Sequence, residues 1–407
     1  MKTVIQNLKG FRDFLPNEAR KRAWLKSQMV KVFEKWGYEP METPTLEPLE
    51  LFEGQIGEDE KLFYKFKDQG DRWVAMRYDQ TVPTCRVLGQ NFDKIVFPFR
   101  RYQIQTAYRA EKPQKGRYRE FTQADIDLYG IDSPIADAEC IAVGIDLYKT
   151  LGFKNVIAII NNRDLLKDIP YPVIAAIDKI RKIGKEAVTS EIISKGYKQE
   201  EAENFLQTIE NLKPDDKIQT IFNYLEKIGI PGENYKFDPT LVRSFSYSEG
   251  PIWEIVIPEY EAASFAGSVG GGERYDTLIE KITGKKIPGT GIAFGFDRTL
   301  DALEIQGLIP NQGTITKVLV TVFSPDLYWD SLKYCVKLRQ TGVNCELYPD
   351  PSAKLEKQLK YADKKGIPFA IILGPEEIKS DTVSIKNLKS QTQKKVFSNS
   401  VAALLND

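Results

Sequence analysis

Three stretches of the chain carry residue types that chemistry needs. The first, Tyr108-Arg109-Ala110-Glu111-Lys112-Pro113-Gln114-Lys115-Gly116-Arg117-Tyr118-Arg119, gathers five cations around a Pro/Gly turn between two apolar runs. Guanidinium groups grip phosphate through paired N–H bonds, so such a loop suits a polyphosphate or an RNA end. Taken alone, a charge run of this kind is more often a solvated hairpin tip. The second, Gly267-Ser268-Val269-Gly270-Gly271-Gly272-Glu273-Arg274-Tyr275-Asp276, lets backbone approach a ligand closely. By itself a glycine cluster usually marks a turn. The third runs from Gly289 to Arg298, alternates small and apolar residues, and ends in an acid–arginine pair. It is predicted to open a helix over Thr299–Ile305, where an anion near Arg298 would also meet the helix N-terminus. The bland alternative is a buried strand with a salt-bridged cap.

Composition narrows the chemistry further. Histidine is absent from all 407 residues. That excludes a Ser-His-Asp triad, a Cys-His pair, an H-E-x-x-H zinc site and any imidazole general base. Catalysis must rest on carboxylates, amides, guanidinium groups, hydroxyls and bound ions. Cys85, Cys140, Cys335 and Cys345 show no C-x-x-C spacing, so four buried or indifferent thiols are expected and no protein metal site. Lys+Arg and Asp+Glu both number 57, so a nucleic acid would have to be met by local basic patches. No secretory or membrane-spanning stretch is visible, and a cytoplasmic protein is expected.

The elements that must position these stretches follow from periodicity. A helix is predicted over Asn17–Trp36, with Leu25, Met29, Val32 and Trp36 on one face and Gly37 ending it. Leu62–Phe66 and Trp73–Tyr78 read as a hairpin. Tyr102–Arg109 and Phe121–Leu128 read as long strands flanking the cationic loop. Ser133-Pro134 opens a helix to about Leu151. Residues 163–237 turn Lys/Glu/Ile-rich and helical in period, a helical insertion. Strands return at Ile252–Ile257 and Gly291–Phe296. After a linker at Asn311-Gln312-Gly313 comes an alternation of strand and helix: Lys317–Phe323, Asp326–Arg339, Val343–Tyr348, Lys354–Lys364 and Pro368–Leu373. This predicts a small α/β domain with a mostly parallel sheet. The expected division is 1–313 and 316–407.

The three chemical stretches, in this order, resemble motifs 2 and 3 of class II aminoacyl-tRNA synthetases with the glycine-rich signature of the histidyl family between them. Gly10-Phe11-Arg12-Asp13 with Pro16, then the helix to Gly37 and Pro44, is similar to motif 1. Arg77-Tyr78-Asp79-Gln80-Thr81 resembles the family's R-[PY]-[DE]-x-T segment. Leu355–Pro368 with Gly374 and Glu377 resembles the group IIa anticodon-binding domain. Five ordered matches across nearly the whole chain are far more specific than any one of them.

The resemblance implies an α/β protein, its α+β catalytic domain an antiparallel sheet flanked by helices, followed by a C-terminal α/β domain. It implies ATP-dependent activation of histidine and its transfer to tRNA, with Mg²⁺ accompanying ATP. Arg109 would hold the α-phosphate and substrate carboxylate, with Arg243 beside them. Glu111 would meet adenine, Phe121 would stack on it, and Arg117 and Arg298 would hold the terminal phosphates. Asp79, Thr81 and Gln123 would bind the α-ammonium group. Asp127, Tyr247 and Tyr275 would meet the side chain, since neutral imidazole needs one acceptor and one donor. Lys112, Gln114 and Lys115 would meet the tRNA acceptor end. Motif 1 implies an isologous homodimer.

One departure lies after Arg243. The family commonly reads R-G-L-D-Y-Y there, whereas this chain reads Arg243-Ser244-Phe245-Ser246-Tyr247-Ser248, with Ser248 replacing the second tyrosine. Asp297 stands where motif 3 usually has Glu. Two alternatives stay open: a histidine-sensing regulatory paralogue that charges no tRNA, and a synthetase of altered amino-acid specificity.

Overall fold

Apolar residues at helical spacing give the first long element, α1 (Pro16–Lys35), which buries Leu25, Met29, Val32 and Phe33. Trp36 lies just past its end and donates from Nε1 to Asp146 at 2.7 Å. The structure is a computed structural model describing residues 5–54, 62–113, 118–243, 248–264, 267–310 and 313–406. Short strands β1 (Glu39–Pro40), β2 (Leu46–Pro48), β3 (Lys65–Lys67) and β4 (Trp73–Met76) precede helix α2 (Thr81–Gln90). The two long strands around the cationic loop are β5 (Phe99–Tyr108) and β6 (Glu120–Tyr129). Helix α3 (Pro134–Thr150) follows, its Ser133 side chain accepting from Ile135 N.

Next come β7 (Ile157–Asn162) and four helices, α4 (Tyr171–Ile177), α5 (Ile180–Ser194), α6 (Gln199–Glu210) and α7 (Asp216–Lys227). The segment read as a helical insertion is mostly helical and ends in strand β8 (Tyr235–Phe237), which pairs parallel to β7. Then come β9 (Glu249–Val256), α8 (Pro258–Ser264), β10 (Gly270–Arg274), α9 (Asp276–Thr283), β11 (Gly289–Gly295) and α10 (Phe296–Ile305). Helix α10 starts three residues before the predicted Thr299, so Asp297 and Arg298 sit in its first turn.

The large sheet runs β1-β5-β6-β11-β10-β9-β7-β8, antiparallel through its centre. Period-two alternation divides its residues between two faces. One face (Ile104, Ile126, Ile292, Phe294, Trp253 and Ile255) packs into the main core with α1 and α3. The other is largely polar or bare around Gln123, Asp125, Asp127, Gly291 and Gly271, where the cavity lies, and carries the buried Ile159, Ile252 and Val256 at its β9–β7 end.

The chain divides into two compact units, Met1–Phe14 with Arg22–Ile309, and Leu15–Lys21 with Pro310–Asp407. The second contains β12 (Val318–Val320), α11 (Tyr328–Gln340), β13 (Cys345–Leu347), α12 (Leu355–Lys365), β14 (Phe369–Ile372), α13 (Pro375–Lys379), β15 (Thr382–Asn387), β16 (Gln393–Phe397) and α14 (Val401–Asn406). β13, β12 and β14 are parallel, as the alternation predicted. β15 and β16 add an antiparallel hairpin beyond the predicted strands. Among the described residues, no helix is long and apolar enough to cross a membrane.

Candidate active site

Three neighbouring strands build the floor of the cavity. On β6, Gln123, Asp125 and Asp127 share one face. On β5 they pair with Gln105, Gln103 and Arg101, and on β11 with Gly295, Ala293 and Gly291. One side of the acidic row is thus amides and a cation, the other nearly bare backbone. The bareness is required: a Cβ at Gly291 would lie 2.0 Å from Asp127 Oδ1, and one at Gly271 on β10 would lie 2.0 Å from Arg243 Nη1. The glycines make room for charged side chains lying across the sheet.

The resulting cavity encloses about 800 Å³ and is lined by Arg109, Arg243 and Arg298 together. Asp79, Thr81, Glu111, Lys112, Phe121, Gln123, Asp127 and Tyr275 line it as well. Three cations far apart in sequence therefore converge on one space with acids beside it. Gln114, Lys115, Arg117 and Tyr247 lie outside the described residues.

Local structure fixes each cation. Arg109 follows β5, its backbone N–H donating to Arg119 O at 2.9 Å to close the base of the cationic loop. Its guanidinium carbon sits 4.2 Å from the Tyr78 ring and 5.1 Å from the Phe121 ring, between two aromatic faces. Arg243 has φ of +38°, unusual for a side-chain-bearing residue. Arg163 Nη1 holds that strained backbone by donating to Val242 O at 3.0 Å and Arg243 O at 3.3 Å. The Arg243 guanidinium meets both Glu273 carboxylate oxygens at 3.4 Å. Arg298 donates to Ser268 O at 2.9 Å.

The acids are held just as closely. Asp79 Oδ1 accepts from Val82 N at 3.2 Å in the first turn of α2, which begins at Thr81. Gln80 ties this segment to the sheet by donating to Gln123 O at 2.9 Å. Asp127 accepts from the Tyr275 hydroxyl, which meets the Tyr129 hydroxyl at 2.8 Å. Its other oxygen lies 2.5 Å from Arg101 Nη2, an ion pair outside directed hydrogen-bond geometry. Burial pushes the Asp79, Asp125 and Asp127 carboxyls up, Asp125 to about 8. Burial also disfavours the Arg101 charge and is the largest single influence on it, but Asp127, Tyr129, Asp125 and Tyr275 together outweigh burial and hold that guanidinium protonated.

Arg101, Asp125, Glu273 and Asp297 escaped the sequence reading as site residues. Arg101 is completely buried, although a strand arginine ordinarily faces water. Asp297 joins two distant arginines, Arg12 at 2.8 Å and Arg22 at 2.6 Å, and accepts from Thr122 N at 3.3 Å. Ser248 is buried and bonds the Glu273 carboxylate. Glu273 lines the cavity, whereas Ser248 lies behind it. The alternation Gln123-Asp125-Asp127 was the available signal for Asp125. Among the described residues, no group of three or more Asp, Glu or Cys side chains is gathered as a metal cage.

A helix-backed antiparallel sheet with arginines from separate segments of the chain over an acidic floor defines a class II aminoacyl-tRNA synthetase core. The histidyl-tRNA synthetase family model matches residues 10–186 and 177–299, and the anticodon-binding-domain model matches 317–407. The chain belongs to the histidyl-tRNA synthetase family. The histidine–tRNA ligase of Cytophaga hutchinsonii is 37% identical over 95% of this chain and 96% of its own length. That of Christiangramia forsetii is 34% identical over 98% of both chains. The crystal structure of histidyl-tRNA synthetase from Nostoc sp. PCC 7120 superposes with a TM-score of 0.84 and 26% identity, over 100% of this chain and 99% of that one.

Proposed function

We propose that this protein activates histidine with ATP and ligates it to tRNA(His). The observation that carries the reading is the convergence of Arg109, Arg243 and Arg298 on one cavity floored by acids. In the first step a histidine carboxylate oxygen attacks the α-phosphorus. The bond to the bridging oxygen breaks, and pyrophosphate leaves with the electron pair. No proton need move, so a chain without histidine loses nothing. In the second step a ribose hydroxyl of the tRNA end attacks the acyl carbon, the bond to the phosphate oxygen breaks, and AMP leaves with the electron pair, its phosphate taking up the hydroxyl proton.

Arg109 and Arg243 neutralise the α-phosphate and orient the carboxylate, while Gln123 fixes the substrate beside them. Arg298 and Arg117 hold the leaving phosphates, and Glu111 and Phe121 take the adenine. Removing Arg243 or Arg109 is expected to lower exchange ~10²- to 10³-fold, as loss of a preorganised charge partner does. Mg²⁺ enters as part of the MgATP substrate. Asp79, Thr81 and Gln123 hold the α-ammonium group, and Asp127, Tyr275 and Tyr247 face the side chain. Lys112, Gln114 and Lys115 meet the acceptor end of tRNA. Residues 1–313 act as the catalytic part, with the insertion near 163–237, and 316–407 as the anticodon-binding part. The protein works as a cytoplasmic homodimer.

The test is ATP–pyrophosphate exchange with each amino acid in turn, then charging of tRNA(His). Exchange confined to histidine is expected; none with histidine at high enzyme concentration overturns the reading. Ser248 carries a second reading, a different amino acid, because its hydroxyl is committed to Glu273. Exchange with that other amino acid would establish it. The match of the anticodon-binding family model over 317–407 argues against a regulator without tRNA charging.

A further inference from the structure

One acid on the cavity floor has no assigned task. Asp125 is 3% exposed and lines the cavity. Its Oδ2 accepts from Gln123 Nε2 at 2.9 Å. Its Oδ1 is buried with no hydrogen-bond partner among the described residues. Its two cross-strand neighbours cannot supply one. Ala293 on β11 offers only a methyl group. Gln103 on β5 is committed elsewhere: its amide donates to Thr43 Oγ1 at 2.9 Å and to Gln105 Oε1, and its carbonyl accepts from Arg101 at 3.2 Å. Buried polar atoms are normally satisfied. Asp125 lines the cavity, so a molecule bound there is in a position to supply the missing partner.

We propose that Asp125 is a specificity-determining residue that contacts the amino-acid substrate, donating a hydrogen bond from its neutral carboxyl to an unprotonated ring nitrogen. This rests on the histidine-activating reading above. The chemistry is complementary. Neutral imidazole presents one N–H and one bare nitrogen. Asp127, the acceptor two residues along the strand, already carries Arg101 and Tyr275. A protonated carboxyl beside it adds the donor that the pocket otherwise takes from hydroxyls alone. Burial favours that protonated form, against the Arg101 charge and the Gln123 hydrogen bond. Asp127 on its own strand and Asp79 from the turn before α2 oppose a further negative charge, and Arg101 on β5 opposes them. Burial is the largest influence, and together they move the carboxyl up to about 8. β11 contributes no charge opposite it, and Glu273 and Arg243 face the same cavity.

The test uses the full chain in histidine-dependent pyrophosphate exchange between about pH 6 and pH 9.5. The unsubstituted protein is expected to lose kcat/KM for histidine as pH rises past about 8. Asp125→Asn keeps a neutral donor, so its KM should stay within about threefold and that alkaline decline should vanish. Histidine's own ionisations are common to both proteins and cancel in the ratio. Asp125→Ala should raise the KM for histidine ~10- to 100-fold with the KM for ATP unchanged. The proposal is overturned, and the functional reading stands, if the ratio of kcat/KM between the unsubstituted protein and Asp125→Asn does not fall as pH rises past about 8 or if Asp125→Ala leaves the KM unaltered. If exchange occurs only with an amino acid lacking a ring nitrogen, both fall.

Discussion

Replacing Gly271 by alanine isolates the placement of one arginine from the stability of the fold. The new Cβ would lie 2.0 Å from Arg243 Nη1 and 3.1 Å from its Cζ. An ordinary contact is near 3.5 Å, so the guanidinium must retreat by roughly 1.5 Å. It can do so, because what is struck is the far end of a flexible side chain. The φ of Gly271 is not in the left-handed region, so alanine adds no backbone strain. The fold should survive while Arg243, the proposed charge partner of the α-phosphate, is misplaced. A displacement of about 1 Å at a reacting centre costs ~10²-fold in rate, or about 2.7 kcal/mol of barrier. Gly271→Ala should therefore lower the kcat of histidine-dependent exchange ~100-fold and move the thermal midpoint by no more than about 2 °C. Gly267→Ala is the control, since a Cβ there meets nothing within 4 Å among the described residues. If Gly271→Ala keeps exchange within about threefold of the parent, Arg243 does not act where its geometry puts it.

Arg101→Met should destabilise the protein by about 3–5 kcal/mol in urea unfolding, because Asp127 would be left buried without its cation; a loss below ~1 kcal/mol would show the pair to be dispensable. The raised carboxyl of Asp125 also sets a pH dependence of stability. The folded form holds a proton that the unfolded chain releases between 3.8 and about 8, so stability falls as pH rises through that window. The slope is up to ~1.4 kcal/mol per pH unit, and Asp125→Asn should remove this contribution. In the second unit, Cys335 and Cys345 are free thiols with sulfurs 3.4 Å apart. Peroxide should oxidise one to a sulfenic acid that the other displaces with loss of water, lowering the intact mass by about 2 Da. Cys345→Ser should abolish that change, and an unchanged mass in the parent would show that the two side chains cannot close.

Much of this site was legible because its chemistry is tied to local pattern. Gly270-Gly271-Gly272 announced a close approach, although it reads as a turn and is a central strand, since a strand whose neighbours must lie across it cannot carry side chains. Arg109, Arg243 and Arg298 were found through motif order, and only the sheet brings them together. What stayed hidden depends on pairing across strands. Arg101 looks like a surface cation until β5 and β6 align it opposite Asp127. The hairpin β15–β16 carries a short alternation, Val383 and Ile385 inward, that is too brief to stand out from turn composition.

The missing histidine has a consequence for how pH acts on this cavity. Ordinary carboxylates titrate well below neutrality and lysine well above it, so imidazole is the usual source of a change near pH 7. None exists in this chain. Asp125 is carried toward that range, to about 8, chiefly by burial, and Asp79 and Asp127 in the same cavity are also raised by burial. Cys345, lowered to about 7 by its bond to Cys335, belongs to the second unit. A near-neutral limb in the activity of this enzyme therefore separates into what the substrate titrates and what the buried cavity carboxyls titrate, Asp125 among them. The amide variant isolates the Asp125 share without touching any of the three arginines.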